Sequence, residues 1–340
     1  MSRSAVLRLG LAGAGTMGRH YLRLLAARDD VTLVALADPL SAAREAASAI
    51  APRAAAFSDP LAMLDEEGLH ALIVASPTTL HVPIALRAVE RGIAVLVEKP
   101  IAGDVAQGRL LVAAAERAGV LLQVGHVERF NPAVLALGEQ LRQRVLGPLY
   151  SVRTVRSGPQ PERIRDVGVA VDLGTHDLDV MCRLLGERPL RVYAETRGLL
   201  TGHEDLLYGL LRFPSGVVGQ LDVNWLTPDK QRRISVLGAE GMLEVDYLRQ
   251  TLTFTRGSAH VAPTYLGGFA PTFSPESIAL AVHPAEPLER QLDAFISALR
   301  TGGPSPVTGE DGLWAVALAD LLLTSAEEHR PLDVRPLEVP

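Results

Sequence analysis

The sequence predicts an α/β protein: a doubly wound parallel sheet at the N-terminus, then a second α/β domain built mainly on antiparallel strands. Three observations carry this. Through residue 125, short apolar runs alternate with helical patterns, the signature of βαβ units. A glycine-rich turn follows the first apolar run. From 189 to 255, strand follows strand with little helix. A typical domain has about 100–200 residues, so the 340 residues are expected to form two, at 1–125 and 126–340.

In the first, "AVLRLGLAG" (5–13), "VTLVALAD" (31–38), "HALIVAS" (70–76), "IAVLVE" (93–98) and "VLLQVG" (120–125) read as strands. Their near-continuous apolar character fits a sheet covered on both faces. "TLHVPIALRAVERG" (79–92) and "DVAQGRLLVAAAERAG" (104–119) read as helices, ended by Gly92 and Gly119 as C-terminal caps. Past 125, Asn131 caps a helix with Pro132 in its first turn. A strand is expected at 149–158 and a helix around 168–186.

In "VVGQLDVNW" (217–225), Val218, Gln220, Asp222 and Asn224 alternate with Val217, Gly219, Leu221, Val223 and Trp225. One polar and one mostly apolar face suit an antiparallel sheet. "RISVLGAEGMLEVDY" (233–247) reads as two strands about a glycine-containing turn. Residues 256–285 are rich in Gly, Pro and Ser without a period, and read as a long functional loop, a substrate lid or a subunit contact. Two helices, near 286–300 and 309–328, close the chain.

Composition narrows the function. A net charge of −6 argues against general affinity for nucleic acid or anionic membrane. The single cysteine, Cys182, excludes an intrachain disulfide and a multi-cysteine metal site, and its apolar setting "DVMCRLLG" predicts burial. No apolar run approaches the roughly 20 residues of a membrane span. The N-terminal apolar residues lead straight into the glycine turn and read as a strand rather than a signal peptide, so the expected compartment is the cytoplasm.

Gly13, Gly15 and Gly18 form G-x-G-x-x-G between a predicted strand and a predicted helix. Gly13 permits the tight turn, Gly15 lets the backbone approach a pyrophosphate, and Gly18 lets helix and strand pack closely. The helix start at Thr16 and Met17 then offers unpaired N–H groups to phosphate. Asp38 ends the second strand, where a carboxylate accepts hydrogen bonds from ribose hydroxyls and repels a 2′-phosphate. NAD is therefore the expected cofactor.

Lys99 ends the strand at 93–98, and with Lys230 it is one of only two lysines among 33 basic residues. In open α/β sheets ligands sit at the carboxyl ends of strands. An ammonium there can hydrogen-bond a reacting oxygen and can also release its proton, which a guanidinium does not usefully do. Asp172, His176 and Asp179 are spaced i, i+4, i+7, so on a helix they share one face. With no third ligand evident, a metal site is not expected. The pattern suits an acid–base device in which His176 accepts a proton and Asp172 orients it.

Taken together, "GAGTMG" (13–18), "EKP" (98–100) and "DLGTHDLD" (172–179) resemble the Gfo/Idh/MocA oxidoreductase family across nearly the whole chain. The resemblance implies an N-terminal Rossmann domain and a C-terminal domain with an open, mostly antiparallel sheet that forms homodimer or homotetramer contacts. It implies Lys99, Asp172 and His176 as the catalytic group. It also places Ser76, Pro77, Thr78 and His81 of "ASPTTLH", with Glu98 and Lys99, against the cofactor.

A finer resemblance, carried by "VGHVERFNPAV" (124–134) and "RSGPQPERIRDVGVAVDLGTHDLDVM" (156–181), is to the branch containing UDP-N-acetylglucosamine 3-dehydrogenases. Arg129, Arg156, Arg163 and Arg165, with Asn131, are then expected to bind substrate, the guanidiniums gripping a diphosphate bidentately. The implied reaction is oxidation of the 3-hydroxyl of such a nucleotide sugar by hydride transfer to NAD. The same-class alternative is a dehydrogenase of a free cyclitol or monosaccharide. The different-class alternative is a non-catalytic ligand sensor on the same fold, which would be free to lose Lys99 or His176.

Overall fold

The computed structural model describes residues 6–65, 68–160, 167–257 and 276–337. The chain divides into two compact units. One comprises Met1–Val127, Leu288–Ala317 and Leu337–Pro340; the other comprises Glu128–Pro287 and Leu318–Pro336.

Among the described residues, the first unit holds six strands: β1 (Leu7–Ala12), β2 (Val31–Ala37), β3 (Ala55–Phe57), β4 (Ala71–Val74), β5 (Ala94–Glu98) and β6 (Leu122–Gly125). All pair in parallel, in the order β3-β2-β1-β4-β5-β6. The order reverses between β1 and β4, which opens the crevice where such sheets bind ligands. Helices α1 (Thr16–Ala26), α2 (Ser41–Ile50), α3 (Pro60–Met63), α4 (His81–Glu90) and α5 (Val105–Ala118) join the strands. The start of α5 is capped by Asp104, which accepts from Gln107 N–H at 2.8 Å, and its end by Gly119 in the left-handed region at φ 63°. Leu9, Leu11, Leu36, Ile73 and Leu96 form a buried core with Tyr21, Leu22 and Leu25 of α1. The short strand β3 is absent from the sequence reading because "AAF" has too little branched apolar bulk to register.

The second unit begins with α6 (Pro132–Arg142), capped by Asn131 as its sequence predicts. It continues through β7 (Leu149–Ser157), α7 (Thr175–Leu185), β8 (Arg191–Arg197), β9 (Leu206–Arg212), β10 (Val218–Asn224), β11 (Gln231–Gly238), β12 (Gly241–Asp246), β13 (Thr251–Arg256) and β14 (Glu276–Leu280). With β15 (Leu332–Asp333) these make a sheet ordered β14-β13-β12-β11-β7-β10-β9-β8-β15. Only β7 and β10 pair in parallel. One sheet face buries Val152, Leu211, Leu221, Ile234 and Val236, while Tyr208, Leu210 and Leu237 stand exposed on the other. The long loop expected at 256–285 is corrected in part: Glu276–Leu280 is a strand paired with β13. Residues 258–275 of that stretch lie outside the described residues.

Two more helices follow, α8 (Pro287–Thr301) and α9 (Gly309–Glu328). Here the expected single domain at 126–340 is corrected, because Leu288–Ala317 belongs to the first unit. Leu288, Leu292, Phe295 and Ile296 of α8 enter the same core as Tyr21 and Leu25. An apolar helix stripe announces burial but not against which sheet.

Cys182 is buried, and burial pushes its thiol up to about 11. Among the described residues, no helix is long and apolar enough to cross a membrane. Among them, too, no group of three or more His, Cys, Asp or Glu is arranged to hold a metal ion.

Candidate active site

In the first unit the glycine turn leaves β1 at Ala12. Gly13 has φ +96°, and an added Cβ would lie 2.5 Å from the Ala75 carbonyl oxygen. A Cβ on Gly18 would lie 2.0 Å from the Gly13 carbonyl oxygen, so α1 packs directly on the turn. Gly15 differs: nothing lies within 4 Å of an added Cβ, leaving an open cradle. Gly15 is also the N-cap of α1, with no side-chain hydrogen bond closing the first turn. The N–H groups of Thr16 and Met17 thus begin a helix uncapped by any side chain, which suits an anion.

Asp38, just past β2, is buried. Its Oδ2 accepts from Ala14 N–H at 2.8 Å and its Oδ1 from Leu40 N–H at 2.9 Å. These bonds hold the carboxylate beside the turn. An open cradle, free helix N–H groups and a fixed carboxylate together fit a dinucleotide, with pyrophosphate over Gly15 and ribose toward Asp38. Gly15→Val is therefore expected to fold normally yet weaken NAD⁺ binding at least about tenfold, read by the loss of the NAD⁺-induced rise in melting temperature.

Ser76, Pro77 and Thr78 follow β4, and Lys99 follows β5, half-buried, with a cis peptide bond to Pro100. His81, placed against the cofactor by resemblance, is instead 2% exposed. Its Nδ1 lies 2.8 Å from the Pro100 carbonyl oxygen and its Nε2 2.9 Å from that of Ser76. The ring braces the segment after β4 against the segment after β5, and burial lowers its pKa.

Glu98 is likewise turned inward. Its Oε1 accepts from the Tyr21 hydroxyl at 2.6 Å, and its Oε2 from Lys99 N–H at 3.2 Å. The Tyr21 oxygen in turn accepts from Gln291 Nε2 at 2.7 Å. Burial raises the Glu98 pKa. The carboxylate lies over Gly125, where a Cβ would stand 3.0 Å away. Tyr21 and Gln291 were not legible as part of this site, since 270 residues separate them.

In the second unit, a π-helical turn at Ala170–Gly174 runs directly into α7. Asp172 sits in the wide turn and His176 in the first turn of α7, both half-buried. The expected common face of Asp172, His176 and Asp179 is corrected at Asp179, which is buried while Asp172 and His176 are half-buried. The π turn that holds Asp172 is of a kind frequent at functional sites. Asp179 points inward: Arg129 donates to it through Nε at 2.7 Å and Nη2 at 2.6 Å.

Arg156 donates to Asp177 through Nε and Nη2, each at 3.0 Å, and to Glu128 through Nη1 at 2.8 Å. Its guanidinium also lies 5.2 Å from the Tyr247 ring centre. Burial works against this cation, but the carboxylates of Asp177 and Glu128 outweigh it and raise its pKa. Asn131 is buried too, accepting from Ala133 N–H at 3.1 Å and donating to the Tyr247 carbonyl at 3.2 Å. The charges that sequence offered to a diphosphate at Arg129 and Arg156 are thus already matched by Asp179, Asp177 and Glu128. Arg163 and Arg165 lie outside the described residues.

A family model described as "Oxidoreductase family, NAD-binding Rossmann fold" matches residues 7–126, and one described as "GFO/IDH/MocA C-terminal domain" matches residues 134–244. The chain is 30% identical to a D-apiose dehydrogenase of Paraburkholderia graminis, over 96% of this chain and 90% of that protein. It is 28% identical to a UDP-N-acetylglucosamine 3-dehydrogenase of Acidithiobacillus ferrooxidans, over 92% of this chain and 95% of that protein. A crystal form of UDP-N-acetylglucosamine 3-dehydrogenase from Acidithiobacillus ferrooxidans matches with a TM-score of 0.81 at 25% identity, covering 95% of this chain and 98% of that one.

Proposed function

Since this chain belongs to the Gfo/Idh/MocA family of NAD-binding oxidoreductases, we propose that it oxidises a secondary hydroxyl of a sugar to a ketone, at the 3-position of UDP-N-acetylglucosamine or a related nucleotide sugar. The observation that supports it best is the gathering of the Gly15 cradle, Asp38 and Lys99 at the carboxyl ends of β1, β2 and β5. When bound, NAD supplies the hydride acceptor. The Thr16 and Met17 N–H groups hold its pyrophosphate. Asp38 accepts from the ribose hydroxyls and disfavours a 2′-phosphate. His176 takes the proton of the reacting hydroxyl, with Asp172 orienting the imidazole. Lys99 donates a hydrogen bond to the same oxygen as it becomes a carbonyl. Lys99 and His176 are chemically able to exchange these roles, since each can hold or release a proton.

The 30% identity to a D-apiose dehydrogenase favours a second reading, oxidation of a free monosaccharide or cyclitol. One assay separates the two: NADH absorbance with NAD⁺ and UDP-N-acetylglucosamine, D-apiose or myo-inositol in turn. Turnover of the nucleotide sugar alone is the expected result. Turnover of only the free sugars moves the assignment to the second reading. If a sugar binds in the presence of NAD⁺ but none is turned over, the result favours the ligand-sensor alternative over the enzymatic proposal.

Pairing of subunits through the second sheet belongs to the same proposal. Tyr208 and Leu210 of β9 and Leu237 of β11 lie on one face by register and are 52%, 49% and 43% exposed. Apolar side chains grouped on an uncovered sheet face mark an interaction surface. Leu210→Glu is expected to shift the protein from dimer or tetramer toward monomer, measured by light scattering after size exclusion. An unchanged mass at micromolar concentration would rule this face out.

A further inference from the structure

We propose that Arg232 binds an anionic group of the substrate, a phosphate or a carboxylate, on the unit that carries Asp172 and His176. The inference rests on the sugar-oxidoreductase reading and narrows its substrate to anionic sugars. Arg232 of β11 stands directly opposite Arg156 of β7, so the two share a sheet face. Their charges are handled differently. Arg129 and Arg156 each present the Nε–Nη2 edge to a carboxylate, Asp179 and Asp177. Arg232 donates only through Nη1, to the Ser157 carbonyl at 2.6 Å and the Gln231 carbonyl at 2.7 Å.

Two backbone carbonyls hold that guanidinium in place without neutralising it. Among the described residues its Nε–Nη2 edge has no partner and no carboxylate lies within ion-pair distance, although the residue is half-buried. That edge is the fork that receives carboxylate or phosphate oxygens in pairs. Lys230 adds a second cation nearby: it is exposed, and its Cα lies within 3.4 Å of the Cβ position of Gly158, next to the Ser157 carbonyl that Arg232 grips. Burial, then the neighbouring Arg156 cation, lower the Arg232 pKa to about 10 against the pull of Asp177, Glu128 and Asp172. It stays charged at neutral pH, as a cation whose surroundings favour an added anion.

The test uses the whole protein with saturating NAD⁺, so that the probes cannot occupy the dinucleotide site. UDP tests a phosphate and glucuronate a carboxylate, each read by the rise in melting temperature. At least one is expected to stabilise the wild type. Arg232→Gln should abolish that rise, keep the rise due to NAD⁺, and increase KM for the matching anionic sugar about 10- to 100-fold with little change in kcat. Arg232→Lys should recover part of the KM. An anion response or KM unaltered in Arg232→Gln overturns the proposal. So does a wild type that responds to neither anion, a result needing no variant; turnover of neutral sugars would then leave the oxidoreductase reading standing. An Arg232-dependent anion response without turnover of any sugar upholds the binding site and sinks the enzymatic reading.

Discussion

Lys99→Met is expected to bind NAD⁺ normally and to lose about 10²–10⁴-fold in turnover, the usual contribution of a positioned proton-transfer or oxyanion-stabilising group. Methionine keeps the length and apolar stem of the side chain and removes only the ammonium. The strand end is held independently of it: His81 bridges the Pro100 and Ser76 carbonyls, and the Lys99 N–H is bound to Glu98. The substitution should therefore leave the rise in melting temperature with NAD⁺ in place, while NADH formation falls. Lys99→Arg sharpens the point, because it preserves the charge but not the capacity to release a proton at neutral pH. It is expected to remain at least about tenfold impaired. Near-normal turnover in Lys99→Met would remove Lys99 from the reaction.

Asp179→Ala is expected to cost about 3–5 kcal/mol of folding stability, the penalty for leaving one member of a buried pair without its partner. Arg129 and Asp179 are 7% and 1% exposed and joined by two hydrogen bonds. Alanine would remove both of these hydrogen bonds from a guanidinium that is only 7% exposed. The urea unfolding midpoint measures the loss. Glu90→Ala provides the contrast, since Arg87 and Glu90 pair at 50% and 62% exposure, and an exposed pair contributes about 0–1 kcal/mol. Equal losses in the two variants would mean that the Arg129–Asp179 pair is not shielded as its burial indicates.

Much of the site was legible because its signals are local. The three glycines, the helix they open and the acid after β2 are set by spacing along one βαβ unit, and the structure returns each with a distinct steric role. Lys99 could be placed because a strand end is visible as the point where an apolar run stops. What could not be read was a side chain's partner when that partner is distant in sequence. The resemblance placed His81 and Glu98 against the cofactor; their hydrogen bonds run to Pro100, Ser76 and Tyr21 and, behind Tyr21, Gln291. Arg129 and Arg156 were read as a basic patch because their acids lie 50 and 21 residues away on α7.

By itself, the sequence determined the fold class, the nucleotide turn, the alternation of the second sheet and the strand-end position of Lys99. These follow from backbone periodicities of 2 and 3.6 residues and from Gly13 and Gly18, where any Cβ would clash with backbone. The tertiary structure alone decided that the guanidiniums of Arg129 and Arg156 are already neutralised and that Arg232 is held by carbonyl oxygens instead. It alone returned α8 to the first unit and inserted the π turn beneath Asp172. The physical reason is that charge matching and strand register depend on which surfaces meet, and burial selects those contacts across the whole chain rather than along it.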